Sequence, residues 1–223
     1  MRVSMVLLAV LCAGDVPELL DEEVPAGALT GSYSAPRLAA AVTLRLDDTF
    51  PVDPTPITPQ AGGTLKSRTA EPRMVLSTYA PAITRRYFED ARWGTEKTKG
   101  KGRELVIKSV ALTVTPGPNY QAQVMVDRVM DGKRLGQGTG QGYASPDRSS
   151  ERVAAGFAGP FAGLVVQDSM APKAKKDAGA IRIAVLRALD SAVMQLGAYW
   201  ANEQYAEELQ RKALEQVNKG KKK

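Results

Sequence analysis

Four glycines at alternate positions, Gly136, Gly138, Gly140 and Gly142, are the first place to look for phosphate chemistry. A dinucleotide site needs G-x-G-x-x-G opening a helix, so that backbone N–H groups converge on the pyrophosphate. Strict alternation does something else. With Leu135, Gln137, Thr139, Gln141 and Tyr143 between them, the four glycines fall on one face of a strand. Such a face lets another backbone approach closely. Ala180, Ala184, Ala188 and Ala192 supply a matching small-residue side on a later helix. The pattern therefore predicts close helix–sheet packing, not a cofactor site.

Other candidates fail on spacing. Gly94 to Lys101 approaches a phosphate loop, but five residues separate Gly94 from Gly100, and Gly102 stands where Ser or Thr must hold magnesium. It reads as a flexible basic loop. Asp47, Asp48 and Asp53 lack the carboxylate–glycine spacing of a hard-cation loop and read as a solvated strand end. The chain contains no histidine, which excludes Ser-His-Asp and Cys-His catalysis and any His metal site. The one cysteine, Cys12, excludes an internal disulfide and a cysteine-based zinc or iron–sulfur centre. Neither G-x-S-x-G nor S-x-x-K occurs. Catalysis by a carboxylate pair stays open, but no pair is singled out. We therefore expect no catalytic residue, no metal ligand and no cofactor.

The elements that would position these residues make an α+β domain. Ala40–Leu46 alternates as a half-buried strand, and the proline-rich stretch 47–72 is too broken for a helix or a central strand. Val75, Tyr79, Ile83, Tyr87 and Ala91 predict a helix over Arg73–Arg92, kinked or restarted at Pro81. A three-stranded meander follows. Glu104–Thr115 carries Val106, Val110, Leu112 and Val114 on one face; Tyr120–Met130 carries Tyr120, Ala122, Val124 and Val126. Asp131-Gly132 turns the chain into the strand Lys133–Ala144. A long helix starts near Asp177 as N-cap, with the stripe Ile181, Val185, Leu189, Val193, Leu196 and Trp200. The expected fold is an antiparallel sheet, one strand plus the meander, packed against two helices with a long C-terminal helix.

From Asp177 to Val217 that helix would run about 60 Å, against a radius of gyration near 15 Å for its domain. Its second half must overhang. Tyr205, Leu209, Ala213 and Val217 form a thin seam flanked by charge, the pattern of a partner-binding helix. A frayed, solvated extension is the alternative.

The 223 residues and 43 % hydrophobic content suit one domain with tails. We divide the chain into a signal-like segment 1–12, an acidic linker 13–38, the domain 39–202 and a helical extension with basic tail, 203–223. The net charge of +6 is segregated. Asp15–Asp53 holds eight acids and two bases, whereas Lys66–Lys108 holds eleven bases and five acids. A basic stretch can serve nucleic acid or anionic lipid, but no aromatics interleave the basic runs as a base-stacking platform would need. Nucleic acid is therefore not the expected partner. Met1-Arg2 followed by an apolar run to Leu11 has the anatomy of an export signal, too short to span a bilayer.

The run closing on Cys12, the strand KSVALTV from Lys108, the hairpin YQAQVMVDRVMDGKRLGQGTGQGYA and the helix AIRIAVLRALDSAVMQLGAYW resemble the small α+β envelope lipoproteins of Gram-negative bacteria, such as auxiliary lipoproteins of ABC-type lipid transporters and YajG-like lipoproteins. Leu11 before the cysteine departs from the small residue usual there. The resemblance implies Cys12 as lipid anchor, a periplasmic or outer-membrane location and a non-enzymatic accessory or assembly role through protein contacts or self-association. A cytoplasmic protein using the 66–108 patch on nucleic acid or anionic lipid is the alternative.

Overall fold

The computed structural model describes residues 24–25, 28–29, 37–59, 68–115, 119–146 and 170–220, without the side chains of 170–175, 213 and 215–220. Cys12 and the rest of segment 1–12 lie outside the described residues, as does most of the linker. The elements run β1 (Leu38–Leu46), β2 (Thr55–Pro59), β3 (Arg68–Ala70), α1 (Pro72–Thr84), β4 (Phe88–Trp93), β5 (Arg103–Val114), β6 (Tyr120–Met130), β7 (Lys133–Ala144) and α2 (Met170–Gly220).

The sheet is mixed, which corrects the antiparallel expectation. β1 lies between β4 and β5 and is parallel to both. β5, β6 and β7 form the expected antiparallel meander. β6 lines one side of β5; β1 takes the first half of the other side and β2 its far end, with β3 antiparallel to β2. The stretch read as too broken for a helix or a central strand supplies two short strands, β2 with Pro56 and Pro59 and β3 beside it, at one end of the sheet. Asp131 and Gly132 both have positive φ, 49° and 75°, as the tight hairpin demands.

The predicted helix 73–92 ends at Thr84. A turn follows, and Phe88–Trp93 is strand β4, with Phe88 and Ala91 buried. α1 continues through Pro81. The proline cannot donate to Ser77, and the Trp93 indole N–H donates to that carbonyl instead, at 2.9 Å. At the other end Pro72 opens the helix, and the Asp53 carboxylate accepts from the Arg73 and Met74 amides at 3.1 and 2.9 Å.

In β5 a bulge between Ile107 and Ser109 changes the parity of the strand. Leu105 and Ile107, not Val106, share the core with Val110, Leu112 and Val114. Both helices cover one face of the sheet: α2 lies on β6 and β7, and α1 packs against α2 and β4. The opposite face is mostly polar, the arrangement a one-sided sheet permits.

α2 begins before Asp177, which is therefore not its cap. That carboxylate instead accepts from the Arg68 guanidinium at 3.2 Å, and Arg68 also donates to the Tyr120 hydroxyl.

Candidate functional site

The glycine face lies where the sequence reading put it, against α2. A Cβ on Gly140 would overlap the Ala188 carbonyl, one on Gly142 the Ala184 carbonyl, and one on Gly138 would sit 2.8 Å from the Ala192 carbonyl. Helix backbone therefore rests on sheet backbone, and Ala184, Ala188 and Ala192 are fully buried. Gln195 and Arg187 reach past the strand to donate to the Thr139 and Tyr143 carbonyls, covering part of the outer edge of β7.

Gly136 has a different neighbour. It pairs across the sheet with Arg128, whose guanidinium would lie about 4 Å from a Cβ there. Arg128 is on the face of β6 that faces the helix, in line with Ala122, Val124 and Val126. Its side chain is 7 % exposed. It donates twice to Glu203, at 2.8 and 2.6 Å, and its guanidinium sits 5.3 Å from the Trp200 ring centre. Trp200 in turn meets Phe88 edge-on at 5.4 Å. About three turns earlier in the helix, Asp190, 1 % exposed, accepts from Arg86 at 2.5 Å and from the Tyr87 hydroxyl at 2.7 Å. These groups fix the direction in which α2 leaves the sheet. Sequence reading missed all three charges, although each left a mark: Arg128 continues an apolar strand face, and Asp190 interrupts an apolar helix.

Beyond Glu203 the helix continues to Gly220, and residues 205–212 are all exposed. Tyr205 is 65 % and Leu209 49 % exposed. At about 100° per residue, Tyr205 and Leu209 lie about 140° and 180° around the helix from Trp200. The seam is thus a second apolar stripe, turned away from the core stripe and not its continuation. Ala213 and Val217 lie in the same helix, with side chains outside the described residues. Glu208 and Lys212 pair at 2.8 Å beside the seam, and that bond holds the Glu208 carboxyl below its ordinary range.

Five of the eleven bases of the 66–108 stretch lie against carboxylates within the fold. Lys108 bonds Asp47, Lys99 bonds Asp48, Arg86 bonds Asp190, Arg68 bonds Asp177, and Arg92 lies 3.9 Å from Asp90. Charge segregated in sequence is thus partly paired in space. Asp47, hydrogen-bonded by Lys108 and Thr49, is held well below the usual carboxylate range. The loop 94–102, expected as flexible, crosses over β1 with bonds at both ends. Gly94 donates to Leu44, Gly100 to the buried Glu104 carboxylate at 2.8 Å, and Gly102 to Asp131 at 2.7 Å. Beneath it lies a polar cavity of about 70 Å³, lined by Arg45, Asp48, Lys99 and Glu104 among others. Pockets for small-molecule ligands run to about 300–1,000 Å³. Among the described residues no three His, Cys, Asp or Glu side chains gather as a metal site, and no helix is long and apolar enough to cross a membrane.

No family model matches the chain, and no curated protein matches it. Among solved structures, the crystal structure of a Xanthomonas campestris protein of the DUF330 family is similar at a TM-score of 0.44 and 11 % identity, over 80 % of this chain and 95 % of that one. Likeness at that level is too distant to carry fold or function across.

Proposed function

We propose that the protein is a non-enzymatic assembly or adaptor component of the cell envelope, which uses its α+β body to hold out a helix that binds a protein partner. The observation that carries this reading is the exit of α2. The helix is clamped by Asp190, Arg128 and Trp200, then projects with Tyr205 and Leu209 on its outer side. A clamped base gives a projecting helix one direction, which a frayed tail would not need. The partner-binding residues are Tyr205, Leu209, Ala213 and Val217. Anchoring to a membrane is assigned to lipid on Cys12, with the body in the periplasm.

The pairing of five bases of the 66–108 stretch with carboxylates of the same fold favours this reading over a nucleic-acid or anionic-lipid surface, because paired bases release fewer counterions. The test has two arms. Deleting residues 204–223 is expected to leave a cooperatively folded body that no longer associates; a photo-crosslinker at position 205 that captures no partner in intact cells overturns the adaptor role. Separately, Cys12→Ser is expected to move the protein from membrane to soluble fraction. Protein recovered with Met1 intact and no lipid mass overturns the envelope assignment.

A further inference from the structure

Resting on the adaptor reading, we infer that the partner of the projecting helix is a second copy of the same helix, paired antiparallel about a two-fold axis near residues 209–210. The argument is one of pattern and charge. Glu208 and Lys212 lie on the same flank of the Tyr205–Leu209 seam, one turn apart and bonded to each other. When two copies pair antiparallel, the same flank of each faces the other. Glu208 of one copy then meets Lys212 of the second, and the two-fold repeats the contact.

A parallel pair would set that flank against the opposite one. There the sequence offers Ala206 and Gln210 and no cation for Glu208. Charge therefore selects the antiparallel arrangement. Size agrees. The same register faces Leu209 with Leu209 of the second copy, and Tyr205 with Ala213, a large residue against a small one.

The seam is turned away from the stripe that packs on the described part of the body. About 30 Å of helix extends from Trp200 to Gly220, so each body ends about 15 Å from the pairing centre, on opposite sides. A seam this thin buries little area, so the dimer belongs with weak, concentration-dependent encounters.

Sedimentation velocity on the full chain, under reducing conditions so that Cys12 cannot cross-link, tests the inference. The wild type is expected to shift from monomer toward dimer with rising concentration. Glu208→Lys and Lys212→Glu are each expected to weaken dimerisation at least tenfold, because each sets like charges across the interface. Both also break the bond within the chain. An equal mixture of the two variants separates these effects: the lysine-rich and glutamate-rich helices are expected to form a heterodimer with restored affinity. A wild type that stays monomeric, single variants that dimerise normally, or a mixture that stays dissociated each overturn the inference. If the wild type is monomeric but crosslinking at position 205 still captures a different protein, self-pairing fails while the adaptor reading stands. If deletion of 204–223 changes no association at all, both fail.

Discussion

The two halves of α2 are one helix built on opposite rules. From Ala180 to Trp200 its alanines touch backbone, its one buried charge, Asp190, is paired with Arg86, and the strand beneath has lost its side chains to make room. From Tyr205 to Lys212 every residue is exposed, and the Glu208–Lys212 ion pair is local. Helix propensity alone does not hold a long helix in water; tertiary packing does most of that. The first half thus serves as the foundation of the second, and substitutions should separate the two sharply.

The largest effect is expected at Asp190. Asp190→Ala leaves Arg86 and the Tyr87 hydroxyl without that acceptor in a buried site, and should cost about 3–5 kcal/mol in denaturant unfolding. Next is Gly140→Ala, whose new methyl overlaps the Ala188 carbonyl. Overpacking of this kind costs about 3 kcal/mol, and chemical denaturation should show it as a lower midpoint at unchanged slope. Gly136→Ala, whose methyl would meet Arg128 only at ordinary contact distance, should cost far less.

Acid sharpens the comparison further. Because Asp47 has a depressed pKa in the fold, its contribution is present above the unfolded carboxylate value and is lost as pH falls below it. Asp47→Asn should flatten acid unfolding below about pH 4. Glu208→Gln, which removes a local and exposed pair, should leave the acid transition where it is. The smallest effect on stability is expected at Leu209→Ala, within about 0.5 kcal/mol of wild type, although association should be lost. A Leu209→Ala variant that unfolds at a lower midpoint would show that the second half also has a place in the fold.

What could be read from sequence was local. The meander, the Asp131-Gly132 turn and the glycine face all follow from alternation within a few residues. Parallel pairing of β1 with β4 and β5 left no such mark, because the partners lie far apart along the chain. β4 was hidden for another reason. Tyr87 and Ala91 extend the four-residue spacing of α1, so a turn and a strand imitate a continuing helix. The seam residues were visible, but the direction they face was not: a period that continues in sequence can still rotate to the other side of the helix. Arg128, Asp190 and Glu203, which aim the helix, were charges in or beside apolar patterns, and only their partners across the fold give them meaning.

The loop that crosses β1 has a consequence for the order of assembly. β5, β6 and β7 can form as successive hairpins, whereas β1 meets β5 through residues such as Thr43 and Arg103, which are 60 positions apart. Closing long loops is slow relative to closing hairpins. β1 must also enter a slot between two strands that are consecutive neighbours in the order of synthesis. During synthesis it leaves the ribosome ahead of both, with both edges unpaired until β4 is made and one edge still unpaired until Leu105 and Ile107 follow. This interior strand is made early and seated late, and that interval is when a chaperone would have most to protect.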